Sequence, residues 1–122
     1  MPRILDIAVI DDDESVRMAL ADSLSSLGYA IHGYASAEEF IAATDGTSFD
    51  CVVTDIHMPG MSGLDLIRYL VIHGFSSPFV LITARSEADL ESKAAAAGAT
   101  CLLRKPFETA DLVNCLERAL GR

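Results

Sequence analysis

The chain has 122 residues, of which 51% are hydrophobic and 22% are charged, which is enough for one domain with a buried core and argues against a disordered chain. Nine basic and 18 acidic residues give a net charge of −9, which argues against nucleic acid as a direct ligand, because phosphate backbones require patches of lysine and arginine. No apolar run approaches the roughly 20 residues that span a bilayer, and strand-like sequence follows Met1-Pro2-Arg3 directly, so we expect neither membrane contact nor a signal peptide.

The cysteines indicate a reducing compartment. They form an odd set without C-x-x-C spacing: Cys51, Cys101 and Cys115. Such cysteines are typically small buried hydrophobic residues rather than metal ligands. We therefore expect a cytoplasmic protein in which residues 1–122 form a single domain.

Short apolar segments alternate along the chain with segments of helical period. The predicted strands are residues 4–10, 30–34, 51–54, 79–83 and 101–103. Several are nearly continuous runs of Val, Ile and Leu, as expected for parallel strands covered on both faces. Apolar side chains at helical spacing mark five helices, one after each strand. They are Val16, Leu20, Leu24 and Leu27; Phe40 and Ile41; Leu64, Ile67, Leu70 and Val71; Leu90 and Ala94; and Leu112, Leu116 and Leu120.

The predicted helices carry matching end signals. Ser36 and Glu39 have the spacing of a capping box, and Ser62 and Ser86 are candidate N-cap residues. A glycine follows each predicted helix, where a left-handed backbone conformation ends it. These glycines are Gly28, Gly46, Gly74, Gly98 and Gly121. Five β-α units in succession predict an α/β fold with an open parallel sheet, right-handed crossovers and helices on both faces.

Charged and polar side chains follow four of the predicted strands. Asp11 and Asp12 come after the first strand, Asp55 after the third and Lys105 after the fifth, while Thr83 ends the fourth. The carboxyl ends of parallel strands share one edge of the sheet, where open α/β folds place their ligands. If the first, third, fourth and fifth strands are neighbours, these side chains converge on one cleft.

The predicted cleft suits a divalent cation and a phosphoryl group. Clustered carboxylates repel one another, and a hard cation such as Mg²⁺ removes that repulsion. Asp12, Asp55 and a loop carbonyl such as that of His57 are suitable metal ligands. The Thr83 hydroxyl and the Lys105 ammonium could each bind a further phosphoryl oxygen, as charge stabilisation in phosphoryl transfer requires. Asp55 would be the nucleophile and would form an acyl phosphate.

With these residues in place, the sequence resembles the receiver domain of two-component response regulators over essentially its whole length. The segments that carry the likeness are IAVIDDDESVRMAL, GYASAEEF, VVTDIHMPGMSGLDLI, VLITA and LLRKPF. The first two most resemble receivers attached to LuxR-type transcription regulators. The resemblance implies that Asp55 is the phosphoacceptor, Asp11 and Asp12 are the acidic pair around Mg²⁺ or Mn²⁺, Thr83 is the switch hydroxyl and Lys105 is the invariant lysine.

The resemblance also implies a fold and a set of partners. The fold is a flavodoxin-like (βα)5 three-layer arrangement with strand order 2-1-3-4-5 and a cis peptide bond at Lys105-Pro106. The phosphoryl donor is a sensor histidine kinase or a histidine phosphotransfer protein. The activated domain would act on an output domain or an effector protein, with phosphorylation-dependent homodimerisation as a family-level expectation. Such a domain is no metabolic enzyme, although it catalyses its own phosphorylation and dephosphorylation.

One position departs from the family pattern. The family usually has an aromatic residue three positions before the lysine, and this chain has Leu102 there. In the family, the ring turns inward when the threonine hydroxyl moves toward the phosphoryl group. The sequence therefore predicts phosphorylation more firmly than it predicts the readout of phosphorylation.

Three other functions fit the sequence less well. A pseudo-receiver that acts as an interaction module without phosphorylation has only Leu102 in its favour. A phosphohydrolase that uses Asp55 covalently would need a general acid two residues later, where His57 is a poor candidate. A flavodoxin-type cofactor protein would need backbone N–H groups for a phosphate after the first strand, where this chain has carboxylates.

Overall fold

The computed structural model describes residues 3–44 and 49–121. In these two ranges the chain alternates strictly between strand and helix. The strands are β1 (Asp6–Ile10), β2 (Ala30–Tyr34), β3 (Cys51–Asp55), β4 (Phe79–Thr83) and β5 (Cys101–Arg104). The helices are α1 (Glu14–Ser25), α2 (Ala37–Thr44), α3 (Gly63–Ile72), α4 (Leu90–Ala97) and α5 (Thr109–Ala119). Among the described helices, none is long and apolar enough to cross a bilayer.

The strands form one parallel sheet in the order β2-β1-β3-β4-β5. This confirms both the predicted α/β class and the strand order implied by the family resemblance. The register places Asp55 of β3 beside Ile82 of β4, and Thr83 of β4 beside Arg104 of β5. The ends of these three strands are therefore level at one edge of the sheet.

The sheet separates two hydrophobic clusters. One cluster lies between the sheet and the helices α2, α3 and α4, and its largest buried side chains include Phe40, Ile67 and Leu81. The other lies under α1 and α5 and includes Leu24 and Leu116. Every residue of β3 and β4 is buried, because both faces of these strands are covered. Each such aliphatic side chain stabilises the fold by roughly 1.5–3 kcal/mol on burial.

The cysteines lie in the cluster under α1 and α5, as the sequence predicted for buried thiols. Cys51, Cys101 and Cys115 are all free and buried. Burial is the main cause that raises the pKa of the Cys51 and Cys115 thiols to about 12. At neutral pH these sulfur atoms are therefore protonated and behave as apolar packing groups.

Two of the three predicted helix starts are confirmed. The Ser62 hydroxyl accepts a hydrogen bond from the Asp65 N–H at 3.1 Å, and the Ser36 hydroxyl accepts one from the Glu39 N–H at 3.0 Å. The Ser86 start is wrong, because α4 begins only at Leu90. Residues 84–89 are all exposed, and their only apolar side chains are the small ones of Ala84 and Ala88, so a helix there would bury little, and burial is what stabilises short helices.

Two residues of the predicted apolar stripes are exposed. Leu27 lies beyond the end of α1, in the turn before Gly28, and its side chain is 52% exposed. Val71 is 53% exposed because it follows the buried Leu70 by one position and so points away from the sheet. The glycine predicted to end the second helix, Gly46, lies outside the described residues.

Gly63 begins α3 in direct contact with the backbone at the end of β3. Its N–H donates to the Ile56 carbonyl at 2.9 Å. A Cβ atom at this position would lie only 2.3 Å from the Asp55 carbonyl oxygen. The obstacle is backbone and cannot rotate away, so the close approach of α3 to Asp55 requires glycine.

We expect Gly63→Ala to lower the free energy of unfolding by about 2 kcal/mol or more, a typical cost of overpacking. Gly33→Ala is the matched control, because a Cβ there would meet the flexible Arg17 side chain at 3.4 Å. Urea denaturation of both variants measures the difference. Equal destabilisation by the two substitutions would contradict the role assigned to Gly63.

Candidate functional site

Three carboxylates meet at the carboxyl edge of the sheet. Asp11 and Asp12 lie in the turn after β1, and Asp55 is the last residue of β3. One oxygen from each of the three lies within 4.8 Å of the others. Asp11 is 1% exposed and Asp55 is 8% exposed, whereas Asp12 faces solvent. The cluster is therefore closed on the side of the sheet and open on the side of Asp12.

Lys105, which directly follows β5, brings positive charge to this cluster. Its Nζ atom lies 3.3 Å from Asp11 Oδ2 and 3.6 Å from Asp55 Oδ2. The Lys105-Pro106 peptide bond is cis, as the family resemblance implied. The sequence therefore placed these residues together correctly, because the ends of β1, β3 and β5 lie along one edge.

The surroundings of Asp55 disfavour the charged form of its carboxylate. Its pKa is raised above the ordinary value, chiefly by burial, and the negative charges of Asp11 and Asp12 raise it further. The Lys105 ammonium and a hydrogen bond from the His57 N–H act in the opposite direction and lower it. Because the raising effects prevail, the charged form of Asp55 is held in the folded protein at a cost in stability.

The donor set fits a hard divalent cation. Carboxylate oxygens are the ligands that Mg²⁺ binds, and Mg²⁺ commonly keeps several waters beside one or two carboxylates. The exposed Asp12 leaves room for such waters. A cation would also remove the repulsion that raises the Asp55 pKa. The fit rests on the geometry of Asp11, Asp12 and Asp55.

Thr83 is fully buried at the end of β4. Its hydroxyl oxygen accepts a hydrogen bond from the Arg85 N–H at 3.0 Å, and its carbonyl accepts one from the Lys105 N–H at 2.7 Å. The strand end that carries the predicted switch hydroxyl is thus tied directly to the strand end that carries the lysine.

His57 lies between Asp55 and an open cleft. Its imidazole Nε2 is shielded from solvent and has no hydrogen-bond partner within residues 3–44 and 49–121. The cleft has a volume of about 380 Å³ and is lined by His57, Met58, Pro59, Ser62 and Arg85. That the His57 carbonyl is a metal ligand stays a prediction, whereas the contact of its N–H with Asp55 was not foreseen.

Leu102, which stands at the usual aromatic position, is half-buried in β5. It packs against the cluster beneath α4. It also borders a groove of about 450 Å³ between α4, β5 and α5. An aliphatic side chain therefore lies at the base of this groove, where the family usually has an aromatic ring.

Glu38 is a residue of the site region that the sequence analysis missed. Its Oε2 accepts a hydrogen bond from the Met61 N–H at 2.9 Å, which ties α2 to the loop after Asp55. This bond is the main cause that lowers the pKa of Glu38. Gly60 has a φ of +78°, and a Cβ there would lie 2.5 Å from Glu38 Oε2. The sequence did not reveal the role of Glu38, because the neighbouring Glu39 has the capping-box position and so accounted for the acidic residues at the start of α2.

Residues 7–117 match the family model of the response regulator receiver domain, and the chain belongs to this family. It is thus a receiver domain of two-component response regulators. Among its relatives, the transcriptional regulatory protein FixJ of Azorhizobium caulinodans is 38% identical over 122 residues, which cover 100% of this chain and 58% of that protein. FixJ of Rhizobium meliloti is 35% identical over 113 residues, which cover 93% of this chain and 55% of that protein. The chain therefore spans little more than half the length of these relatives.

Solved structures agree with this assignment. The crystal structure of FixJ-N superposes with a TM-score of 0.90 at 34% identity, covering 100% of this chain and 97% of that one. The chemotaxis protein CheY4 of Vibrio cholerae gives a TM-score of 0.89 at 26% identity, covering 97% of this chain and 100% of that one. The predicted family, its likeness to receivers of LuxR-type transcription regulators and the flavodoxin-like fold are confirmed.

The raised pKa of Asp55 predicts how stability depends on pH in metal-free buffer. Between the ordinary pKa of 3.8 and the raised value, the folded protein binds more protons than the unfolded chain, so stability falls as pH rises through this window. Asp55→Asn should therefore increase the free energy of unfolding at neutral pH. The increase should disappear below the ordinary pKa, where Asp55 is neutral in both states.

Asp50→Asn is the control of opposite sign. A hydrogen bond from Arg3 is the main cause that lowers the Asp50 pKa, so Asp50 contributes stability above its ordinary pKa and loses it as pH falls through the lowered value. Asp50→Asn should therefore reduce stability at neutral pH. Denaturant unfolding at neutral and acidic pH measures the free energy of unfolding of both variants. If the two substitutions change it in the same direction at neutral pH, the raised pKa of Asp55 is refuted.

For Glu38, we expect Glu38→Ala to speed amide exchange at Met61, because the Met61 N–H loses its acceptor. Glu38→Gln should retain slow exchange, since an amide oxygen still accepts the bond. Glu39→Ala removes a carboxylate one residue away that contacts Ala35 instead, so it controls for charge. Hydrogen exchange followed by NMR gives the comparison; equally fast exchange in Glu38→Gln would show that charge, not acceptance, holds the loop.

Proposed function

We propose that this chain accepts a phosphoryl group on Asp55 from a histidine kinase or histidine phosphotransfer protein in the cytoplasm. Residues 1–122 would act as one receiver domain. The observation that carries the proposal is the cluster of Asp11, Asp12 and Asp55, with one oxygen of each within 4.8 Å of the others. Lys105 Nζ lies 3.6 Å from Asp55 Oδ2, so an ammonium is already next to the proposed nucleophile.

Asp11, Asp12 and Asp55, with the main-chain carbonyl of His57, would hold Mg²⁺ or Mn²⁺. When bound, the cation supplies positive charge that offsets the carboxylates and the phosphoryl oxygens. With this charge balance, two anionic groups can approach each other closely enough to react.

The transfer itself is a displacement at phosphorus. An Asp55 carboxylate oxygen forms a bond to phosphorus while the phosphorus–nitrogen bond of the phosphohistidine breaks, and its electron pair returns to the imidazole of the donor. Lys105 lies where its ammonium can pair with an oxygen of the transferred group. The Thr83 hydroxyl can donate to a further oxygen, since its present bond uses only its acceptor lone pair.

The transferred group would change which partners the domain binds. A phosphoryl group adds about 1.5 to 2 negative charges at neutral pH, enough to bias a two-state element. The FixJ relatives are transcriptional regulatory proteins, and this chain covers little more than half of their length. We therefore propose an output domain or effector protein as the target of the activated domain, with phosphorylation-dependent homodimerisation as one form of output.

A second candidate is a pseudo-receiver that binds partners without phosphorylation. Leu102 favours it, because the chain lacks the aromatic ring that the family turns inward on activation. The intact charge cluster favours the first candidate, since a domain that no longer needs phosphorylation has no need to keep mutually repelling carboxylates buried together.

We expect incubation with Mg²⁺ and acetyl phosphate to add one phosphoryl mass to the protein, detectable by intact mass spectrometry. Asp55→Asn should abolish the addition because it removes the nucleophile. Omission of Mg²⁺ with a chelator should also abolish it. A wild type without added mass would favour the pseudo-receiver, and an Asp55→Asn variant that still gains mass would move the nucleophile elsewhere.

Two neighbouring acids offer a matched pair for the cation. Asp12→Asn should weaken Mg²⁺ binding about tenfold or more, which corresponds to roughly 1.4 kcal/mol. Asp13→Asn should have a much smaller effect, because Asp13 caps α1 through the Ser15 N–H at 2.9 Å and asparagine caps equally well. Calorimetric titration with Mg²⁺ distinguishes the two, and equal losses would count against Asp12 as a ligand.

A further inference from the structure

Arg104 links the end of β5 to two parts of the polypeptide that follow β4. One guanidinium nitrogen, Nη1, donates to the carbonyl oxygen of Arg85 at 2.9 Å. The other, Nη2, lies 3.5 Å from Glu91 Oε1 on the first turn of α4. The Arg104 side chain therefore spans from the sheet edge, across the loop of residues 84–89, to α4.

The loop of residues 84–89 has few other means of support. All six of its residues are exposed, and α4 begins only after them. Both backbone polar groups of Arg85 are paired, one with the end of β4 and the other with the end of β5. Its N–H donates to Thr83 Oγ1 at 3.0 Å, and its carbonyl accepts from Arg104. A single residue thus connects the Thr83 hydroxyl to the Arg104 guanidinium.

The bond to the carbonyl is the stronger of the two Arg104 contacts. The Glu91 side chain is 76% exposed, and ion pairs between exposed side chains contribute little because water and salt screen them. The bond to the Arg85 carbonyl has a charged donor, which strengthens a hydrogen bond, and at 2.9 Å it is shorter than the 3.5 Å contact with Glu91. Loss of Arg104 should therefore act mainly on the Arg85 carbonyl.

This connection restricts the movement of Thr83. The hydroxyl proton can turn toward a phosphoryl oxygen without breaking this bond, but if the Thr83 Oγ1 atom itself moves, either the Arg85 N–H loses its acceptor or the loop moves with the oxygen. Although Arg85 is exposed as a residue, its hydrogen bond with Thr83 is partly buried, so an unpaired N–H there is costly. Motion of the hydroxyl oxygen and motion of the loop are therefore coupled, and Arg104 and Glu91 extend the coupling to α4.

We propose that Arg104 is a positioning residue for Thr83. It holds the Arg85 carbonyl, the Arg85 N–H in turn holds the Thr83 hydroxyl, and the three residues connect the phosphorylation site to α4 without an aromatic ring at Leu102. The consequence for signalling rests on the proposed phosphorylation of Asp55. The positioning itself is a property of the unphosphorylated protein and can be measured there.

The test is a double-mutant cycle on amide exchange of Arg85, followed by NMR in the full chain without metal. Arg104→Ala should speed exchange of the Arg85 amide about fivefold or more, as expected for loss of a supporting hydrogen bond. Thr83→Val removes the acceptor and should also speed it. In the Thr83→Val background, Arg104→Ala should add little, because the two residues act on one peptide unit.

Three controls separate positioning from general loosening. Glu91→Gln removes the ion pair and Arg85→Ala keeps the backbone carbonyl, so neither should speed exchange of the amide at position 85. Arg104→Lys keeps one charged donor and should restore part of the protection. Amides of β1 and β3 should exchange at the wild-type rate in every Arg104 variant. The proposal is overturned if Arg104→Ala has no effect, if Glu91→Gln reproduces its effect, or if the two substitutions in the cycle act independently.

A second cycle uses the rate of Asp55 phosphorylation by acetyl phosphate. Arg104→Ala should slow it severalfold in the wild-type background and leave it unchanged in Thr83→Val, a non-additivity that simple destabilisation would not produce. Additive slowing would overturn the positioning role. If the wild type gains no phosphoryl mass, the proposed function fails, and the exchange cycle alone then decides the role of Arg104.

Discussion

The Lys105 ammonium lies between two carboxylates that the fold has largely removed from water, and the site depends on this arrangement. Asp11 is 1% exposed, and the Lys105 side chain is 23% exposed. Burial of charge is costly, and a buried pair recovers the cost only with good geometry and further hydrogen bonds. Asp11 obtains such a bond from the Asp13 N–H at 3.0 Å, which also orders the start of α1. The charge cluster therefore also orders the backbone around it. Asp55 alone, without Asp11 and Lys105, would not have this effect.

The part of the site that could be read from the sequence is the part that depends on topology. Asp11, Asp55 and Lys105 each follow an apolar run, and parallel strands bring such positions to one edge whatever the detailed packing. The sequence could not show the Glu38 contact with Met61, because that bond depends on how α2 lies against a loop 23 residues away. The order of strands predicts which strand ends lie side by side, whereas a contact between a helix and a loop can be seen only in the three-dimensional structure.

In the fold, too, some features could be predicted from the sequence and others could not. Strand order and helix number followed from alternation and family resemblance, and they agree with the structure. Ser86 failed as a helix start because a local N-cap signal cannot outweigh the absence of large apolar side chains among residues 84–89, where the only apolar residues are two exposed alanines. That error matters for function. The segment is an exposed loop held through Arg85, so the connection between Thr83 and α4 is made by polar contacts and not by a rigid helix.

The buried, protonated thiols of this domain provide a measure of local opening, because their reaction with an alkylating reagent depends on exposure to water. A thiol whose pKa is about 12 has almost no thiolate at neutral pH, and only the thiolate reacts with alkylating reagents. Cys51 on the central strand β3 and Cys115 on α5 should therefore be modified only during excursions that expose them to water. The alkylation rate at Cys51 counts excursions of the central sheet, and the rate at Cys115 counts those of the last helix. The alkylation rates of two natural cysteines therefore report the opening of two separate regions, and no engineered label is needed.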